Sequence, residues 1–396
     1  MKRIMSRWRW SWLMAGVLAG ACRHASAPAA APAAAPAALT ARLQQLMDSV
    51  RIAQKWPGVS VAVALADGRI AAVASGMADT TRKIPLRTTD RLLQGSVGKT
   101  YVSAVAMQLA AEGTLDLDAP IARYLGREPW FDSLPNGREA TVRQIMRHTS
   151  GLVRYEFQPD VTARLRAEPF KVWTPVERLR ALFGAKPPFA AGAGWEYSDT
   201  NYIVLGMIIE QLTGHTYYDE VQRRVLTPLG LRNTIPSDRR RLAGVANGYA
   251  GPKNDLGGYD ASIGIDGLMA IDPQFEWTGG GMASTTSDLA RWAQLLYTSR
   301  AFPSSMLPRL LDGVPARLGA NAQYGLGVII RPTPLGISWG HSGFFPGYAT
   351  EMAYFPTAGI AVAVQVNITD PYPRSLFPLV QRLAREAGAR DSTAVR

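Results

Sequence analysis

Segments with the composition of β-strands lie near both ends of this chain, and helical segments fill the middle. Residues 59–65 and 69–75 are rich in Val, Ile and Ala, and Asp67-Gly68 between them is a strong signal for a hairpin turn. Further strands are predicted near the C-terminus, at residues 324–331, 337–340, 349–355 and 359–367. Strands at both ends with helices between them predict an α+β fold, in which both chain ends build one antiparallel sheet.

Helices are predicted both beside the sheet and in the middle of the chain. Apolar residues recur at helical spacing over residues 39–55, and again at Leu376, Leu379, Val380, Leu383 and Ala387. The middle is expected to hold helices over residues 101–112, 142–148, 202–212 and 289–296. We therefore expect an α/β lobe from residues 39–99 and 300–396, with helices flanking the sheet, and an inserted, mainly helical lobe over residues 100–299. A cleft between lobes is a usual place for an active site.

The first 38 residues are expected to lie outside the folded body. Residues 1–21 join a basic start to a largely apolar run, which is typical of a signal peptide and too short for a stable membrane span. The residues before Cys22 resemble a bacterial lipobox, so Cys22 is predicted to be lipidated; the alternative is a cleaved signal with an incidental cysteine. Residues 22–38 are rich in Ala and Pro and predict an extended tether. The protein is therefore expected to be exported to the periplasm or cell envelope, with a lipid anchor as its membrane contact.

The composition argues against several other classes of protein. The net charge is +12, but the basic residues are scattered, with the densest run at residues 239–241. Nucleic-acid binders more often show a basic stripe with interleaved aromatic residues, so no nucleic-acid partner is expected. The four histidines form no His-x-x-x-His pair, and neither a metal nor another cofactor is expected. His148 is predicted to be structural, and a single cysteine excludes an internal disulfide.

Ser96 and Lys99 lie at the start of a predicted buried helix. The alternative for Ser96 is the common role of a helix-capping serine. Lys99 argues against that role, because a lysine there faces the positive end of the helix dipole, and Gly98 weakens the helix further. Positions i and i+3 share a helix face, so the ammonium group can reach the hydroxyl. The helix end and partial burial are expected to lower the pKa of Lys99, which suits it to act as a base.

Two further segments carry groups suited to the same chemistry. Tyr197-Ser198-Asp199 follows a Gly-rich loop and precedes a helix, and its alternative interpretation is a core tyrosine with Ser198 or Asp199 capping that helix. The second segment ends a predicted strand and consists of His341, Ser342, Gly343 and Phe344. Gly343 lets backbone come close to a ligand and His341 adds a titratable group, whereas the alternative is a Gly-rich strand end with a hydrogen-bonded histidine.

In this order, Ser-x-x-Lys, Tyr-Ser-Asp and His-Ser-Gly resemble the three motifs of the serine β-lactamase and penicillin-binding family. The tyrosine version is similar to the branch of class C β-lactamases and DD-peptidases, which also holds esterases and D-aminopeptidases. The similarity covers about residues 45–370. It implies a β-lactamase/transpeptidase-like fold and an acyl-enzyme at Ser96, with Lys99 and Tyr197 sharing the proton transfers.

The resemblance also implies roles for the remaining motif residues. The backbone N–H groups of Ser96 and Phe344 would form the oxyanion hole, and the substrate would contact Asp199, His341, Ser342 and Gly343. Asp199 departs from the usual Asn of the β-lactamases, and an ionised Asp only accepts hydrogen bonds. It is expected to pair with Lys99 or to favour a substrate with an amine nearby. His341 stands where the β-lactamases have Lys, and both departures weaken the case for efficient β-lactam hydrolysis.

The sequence therefore predicts a serine hydrolase that cleaves an amide, peptide or ester bond of a small-molecule or peptide acyl donor, with water as second substrate. β-Lactamase, DD-peptidase, D-aminopeptidase and esterase activities remain open, because specificity is expected to lie in loops 153–173 and 249–277. The alternative is a catalytically silent binding protein on the same fold, although no nucleophile or base is missing. An α/β-hydrolase is disfavoured, since Gly-x-Ser-x-Gly is absent and position 94 is Gln.

Overall fold

A computed structural model describes residues 33–251, 254, 258–370, 373 and 375–389. Its strands are β1 (Gly58–Ala64), β2 (Ile70–Asp79), β3 (Ile84–Pro85), β4 (Leu92–Leu93), β5 (Ile235–Pro236), β6 (Met282–Ser284), β7 (Val314–Pro315), β8 (Gln323–Tyr324), β9 (Ile329–Thr333), β10 (Gly336–Phe345), β11 (Tyr348–Phe355) and β12 (Ile360–Val366). Nine of them form an antiparallel sheet of order β3-β2-β1-β12-β11-β10-β9-β8-β7, and β4, β6 and β5 form a second, small sheet.

The centre of the large sheet is made by strands from opposite ends of the chain. Val61 of β1 lies opposite Val73 of β2 on one side and Val364 of β12 on the other. Every residue of β1 and β12 is buried, as expected for strands with helices on both faces. The predicted α+β fold, with one antiparallel sheet built from both chain ends, is confirmed.

The helices in the described residues are α1 (Ala37–Gln54), α2 (Lys99–Ala111), α3 (Ala122–Leu125), α4 (Val142–Met146), α5 (Pro159–Ala167), α6 (Pro175–Leu179), α7 (Thr200–Thr213), α8 (Tyr217–Val221), α9 (Thr227–Leu229), α10 (Thr286–Tyr297), α11 (Leu307–Leu310) and α12 (Phe377–Glu386). Alternate residues of β1 enter two different apolar clusters, because successive strand side chains point to opposite faces. Val61 packs with residues of α1 and α12, whereas Ala62 belongs to the cluster that includes α2, α7 and α10. The sheet therefore separates an outer helical layer from the helical lobe.

Helix α2 crosses the interior of this lobe. Each residue from Lys99 to Met107 is buried, which matches an almost uniformly apolar sequence. Tyr101 stacks on Trp292 of α10 with ring centroids 4.4 Å apart, and the Trp292 indole donates a hydrogen bond to Thr100. These contacts hold the start of α2, and the turn before it, at a fixed position against the sheet.

Three predicted boundaries differ from the structure. The strand predicted over residues 324–331 is split into β8 and β9, and Gly327 between them has a φ of +86°. A Cβ at Gly327 would lie 2.1 Å from Ser103 Oγ on α2, so the break brings the chain close to that helix. Strand β10 extends to Phe345 and includes residues 341–344, whereas the predicted strand covered only residues 337–340. The predicted tether is too long, because α1 begins at Ala37 and Ala34 pairs with Ile70.

The predicted signal peptide (residues 1–21) and Cys22 lie outside the described residues. Within the described part of the chain, no helix combines the length and apolar character needed to cross a bilayer.

Candidate active site

The turn that carries Ser96 is wedged between two other backbone segments. Residues Gly95–Gly98 form a 3₁₀ turn that leads directly into α2. A Cβ at Gly98 would lie 2.4 Å from the carbonyl oxygen of Gly280, and one at Gly95 would lie 2.5 Å from the Phe344 nitrogen. This close packing explains why residue 98 is a glycine, independently of the effect of glycine on the helix. The two contacts fix Ser96 between the loop at Gly280 and strand β10.

Lys99 connects Ser96 to the Tyr-Ser-Asp segment. Its side chain is fully buried, and its ammonium group lies 2.9 Å from Ser96 Oγ and 2.5 Å from Asp199 Oδ1. It also donates to the carbonyl oxygen of Gly279. Ser96 makes no capping hydrogen bond to α2, and Asp199 makes none to α7 although it directly precedes that helix. The Ser198 hydroxyl donates to the Val153 carbonyl oxygen instead, so the capping interpretations are wrong. The expected pairing of Asp199 with Lys99 is present.

The pKa of Lys99 differs from the expected direction. Burial lowers it, but the charge and hydrogen bond of Asp199, with a smaller contribution from the neighbouring Tyr197, outweigh burial and raise the pKa above its ordinary value. The prediction of a lowered pKa was wrong because it considered the helix end and burial without this carboxylate. Lys99 therefore rests as an ammonium group at neutral pH.

Tyr197 lies on the other side of Lys99. The ammonium group is 5.0 Å from the centre of the Tyr197 ring, and the phenolic oxygen is buried with no hydrogen bond of good geometry to a described residue. Burial raises the pKa of Tyr197, while the nearby Lys99 charge opposes that rise. Behind the ring, the buried His148 accepts hydrogen bonds from the Ser198 backbone and the Asn201 side chain. Tyr197 is thus a neutral phenol packed against His148, with ring centroids 4.2 Å apart, and the structural role of His148 stays a prediction.

His341 lies on β10 and is almost completely buried. Its Nδ1–H donates to the Ser342 carbonyl oxygen at 2.6 Å, so Nε2 accepts from the Tyr324 hydroxyl at 2.8 Å. Burial, reinforced by the Lys99 charge, lowers the pKa of His341 to about 3. The histidine is consequently neutral with a fixed tautomer, and it does not supply the titratable group that the sequence suggested.

Strand β10 brings the rest of the third motif against the serine turn. A Cβ at Gly343 would lie 1.9 Å from the Gln94 carbonyl oxygen and 3.2 Å from the Ser96 nitrogen. Only glycine permits this approach, which brings the backbones of Ser96 and Phe344 to the same place. Ser342, Gly343 and Phe344 all line a groove of about 350 Å³ that also contains Ser96.

Residues that sequence reasoning did not single out line both sides of Ser96. The groove contains Trp195 and Arg317 next to Tyr197 and His341. A smaller cavity on the Asp199 side is lined by acidic and aromatic residues, among them Glu156, Phe275 and Glu276. Glu156 and Glu276 come from the two loops in which specificity was expected. The sequence feature that could have identified Glu276 is its position between two large aromatic residues, Phe275 and Trp277.

These two glutamates have strongly shifted pKa values. Burial, together with the charge of Asp199, raises the pKa of Glu276 to about 8. Burial and Asp199 also raise the pKa of Glu156 to about 7, although Arg154 opposes the shift with an ion pair of 2.7 Å. Titratable groups with shifted pKa values beside a nucleophile are characteristic of functional sites.

The fold and the serine–lysine pair at the head of a buried helix define a serine hydrolase. The chain belongs to the β-lactamase family, since the family model described as Beta-lactamase matches residues 39–385. The resemblance stated from the three motifs is thereby confirmed. Among relatives, penicillin-binding protein 4* of Bacillus subtilis (strain 168) is 27% identical over 290 residues, which cover 70% of this chain and 60% of that protein.

Two further similar proteins are named for their action on D-amino-acid derivatives. A D-aminopeptidase of Brucella anthropi is 26% identical over 300 residues, covering 75% of this chain and 53% of that protein. The crystal structure of D-amino acid amidase from Ochrobactrum anthropi SV3 complexed with D-phenylalanine superposes with a TM-score of 0.73 at 26% identity, covering 88% of this chain and 98% of that one. The chain covers 60% of the length of penicillin-binding protein 4* and 53% of the length of the Brucella anthropi D-aminopeptidase.

Proposed function

We propose that the protein is an exported amidohydrolase that forms an acyl-enzyme at Ser96 and cleaves the amide bond of D-amino-acid amides or peptides. The contact of the buried Lys99 ammonium with both Ser96 Oγ and Asp199 carries this proposal, because it places a hydroxyl nucleophile in a proton-transfer network. The similarity to a D-aminopeptidase and a D-amino acid amidase supports the choice of substrate.

Acylation begins with attack of Ser96 Oγ on the substrate carbonyl carbon. The serine proton passes into the cluster of Lys99, Tyr197 and Asp199, which first has to lose one proton because Lys99 rests as an ammonium group. Such a cluster titrates as a unit, so its apparent pKa belongs to the group as a whole. As the tetrahedral intermediate collapses, the carbon–nitrogen bond breaks and the cluster returns a proton to the departing amine. Water then attacks the ester carbonyl and gives a proton to the cluster, the carbon–Oγ bond breaks, and the cluster returns the proton to Ser96 Oγ as the carboxylic acid leaves.

The developing oxyanion needs donors at the place where the charge forms. The close approach of β10 to the serine turn supports the backbone N–H groups of Ser96 and Phe344 in this role. Each donor of this kind stabilises a transition state by roughly 3 kcal/mol. The neutral His341 would hold the strand beside the groove through Tyr324 and the Ser342 carbonyl.

Export and lipidation at Cys22 belong to the same proposal. The basic start, the apolar run and the Ala/Pro-rich segment before the folded body support them. Mass spectrometry of protein recovered from a cell-envelope fraction tests both: a diacylglyceryl group on an N-terminal Cys22 is expected, and an intact Met1 in cytosolic protein would refute them.

The acyl-enzyme is tested by treating the purified protein with a fluorophosphonate and mapping the adduct by peptide mass spectrometry. We expect one adduct on Ser96 and none in the Ser96→Ala variant. Turnover is then compared among D-phenylalanine amide, L-phenylalanine amide, nitrocefin and p-nitrophenyl acetate. Labelling on another residue would refute the nucleophile, and faster cleavage of the L-amide would refute the choice of D-amino acids.

A further inference from the structure

The cavity on the Asp199 side of Ser96 combines charged and apolar walls. It measures about 70 Å³, which is room for several water molecules or the equivalent part of a substrate. Its polar lining includes Ser96, Arg154, Glu156, Asp199 and Glu276, and its apolar lining includes Ile271, Phe275 and Phe345. The cavity therefore offers acidic groups and an apolar wall to whatever is bound at the serine.

The carboxyl groups in this cavity outnumber the cations that pair with them. Asp199 is paired with Lys99, and one oxygen of Glu156 is paired with Arg154. Glu276 has no ion pair or hydrogen bond through its side chain to a described residue, and its Oε2 atom is buried. One carboxyl group is thus left without a partner beside the nucleophile.

A second acceptor is also unsatisfied. Glu156 is 4% exposed, and its Oε2 atom has no hydrogen-bond partner among the described residues. Leaving a buried acceptor unpaired costs about as much as a lost hydrogen bond or more, so an acceptor of this kind that lines a cavity is available to a donor bound there. Among the described residues, no group of three or more His, Cys, Asp or Glu side chains is arranged to hold a metal ion. An ammonium group, with three donors and a positive charge, matches two free carboxylate oxygens.

We propose that Glu276 and Glu156 bind the free α-ammonium group of the substrate, which makes the protein specific for amides of amino acids with an unblocked amino group. The inference rests on the proposed acyl-enzyme function and adds the residues that select the substrate. The side chain of the bound amino acid would lie against Phe275 and Ile271. Because Glu276 holds a proton at neutral pH in the empty site, binding of the ammonium group releases that proton to solvent.

The kinetic test uses three p-nitroanilides that differ only at the α-substituent: D-phenylalanine, its N-acetyl derivative and its α-hydroxy analogue. The wild-type protein is expected to cleave the free-amine substrate with at least tenfold higher kcat/KM than the other two. Glu276→Gln and Glu156→Gln, which keep size and remove charge, should each reduce that ratio at least tenfold, mainly through KM. Asp260→Asn, an exposed acid on the same long loop as Glu276, is the matched control and should leave the ratio unchanged.

A binding test does not depend on turnover. Calorimetry of D-phenylalanine amide with the Ser96→Ala variant is expected to show binding and proton release at pH 7, and both should be lost in Ser96→Ala/Glu276→Gln. A ratio that is unchanged in both glutamate variants, or equal binding of D-phenylalanine amide and its N-acetyl derivative, would overturn the inference. Either result is compatible with a fluorophosphonate adduct on Ser96, so the failure of this inference is distinguishable from failure of the proposed function.

Discussion

The ammonium group of Lys99 lies 2.5 Å from the carboxylate of Asp199, and the lysine is the more deeply buried partner, with 0% against 18% of its side chain exposed. A buried ion pair of this kind is costly to break, because removal of one partner leaves an uncompensated charge. It also sets the protonation state of the group nearest to Ser96. Asp199 is therefore linked to Ser96 through Lys99, which contacts both residues.

Asp199→Asn is expected to shift the pH dependence of the enzyme. Asp199 raises the pKa of Lys99, so its neutralisation lets the Lys99–Tyr197 pair lose a proton at lower pH. The acid limb of kcat/KM for p-nitrophenyl acetate should move down by about one pH unit or more, measured from pH 5 to 10. An unchanged limb would show that Asp199 does not control this proton.

The same variant is expected to improve the turnover of β-lactams. An Asn at position 199 donates a hydrogen bond to a substrate amide carbonyl, which an ionised Asp does not. Nitrocefin hydrolysis by the Asp199→Asn variant should exceed that of the wild-type protein, with p-nitrophenyl acetate as reference substrate. Equal nitrocefin turnover would exclude Asp199 as the residue that discriminates against β-lactams.

Lys99→Met and Tyr197→Phe are each expected to slow acylation by about 100-fold or more, because each removes a group that carries the serine proton. The measurement is the rate of fluorophosphonate labelling at Ser96. The Tyr197 hydroxyl makes no hydrogen bond of good geometry to a described residue, so Tyr197→Phe should keep the melting temperature. Lys99→Met leaves Asp199 unpaired, so Lys99→Met/Asp199→Asn serves as its stability control. A wild-type labelling rate in either single variant would remove that residue from its role.

Gly280→Ala is expected to destabilise the protein by about 1–3 kcal/mol and to reduce activity. Its Cβ would lie 2.6 Å from the backbone of Gly95, next to the serine. Gly279→Ala is the matched control, because its Cβ would meet Asp199 at an ordinary 3.6 Å. Urea unfolding and p-nitrophenyl acetate turnover of the two variants should differ clearly, and equal effects would contradict the close packing of this loop on the serine turn.

Glu276→Gln is expected to reduce the pH dependence of the free energy of unfolding. In the wild-type protein the pKa of Glu276 rises from 4.5 to about 8 on folding. Its contribution to stability is complete below pH 4.5 and is lost as the pH rises to about 8, because the unfolded state ionises first. The free energy of unfolding, measured with urea, differs between pH 5 and pH 9, and this difference should be smaller in the variant by on the order of 2–4 kcal/mol. An identical difference in both proteins would show that Glu276 is not protonated on folding.

The sheet and the motif residues were predictable because each has a local pattern. The Asp67-Gly68 turn, the apolar runs and the serine–lysine spacing depend on neighbouring residues alone. The structure brings Ser96, Lys99, Tyr197, Asp199 and His341 into one place, as the resemblance implied. Their chemical roles remain predictions that the experiments above address.

The sequence was less informative wherever a property depends on residues far apart in the chain. Asp199 raises the pKa of Lys99, and the backbone of Gly280 leaves no room for a Cβ at residue 98. The acidic cavity joins Glu156 and Glu276, which have no shared pattern and meet only through the fold. Such properties follow from the placement of loops, which local periodicity does not encode.

The pairing of β1 with β12 has a consequence for how the protein acquires its structure. Val61 and Val364 are paired although about 300 residues separate them along the chain, so the centre of the sheet cannot form until nearly the whole polypeptide has been made. Contacts this distant in sequence are associated with slow folding, because a long loop must close before they form. A chain that ends before residue 360 would leave both the apolar β1 and the strand edge of β11 uncovered, and we expect it to aggregate instead of forming a smaller stable domain.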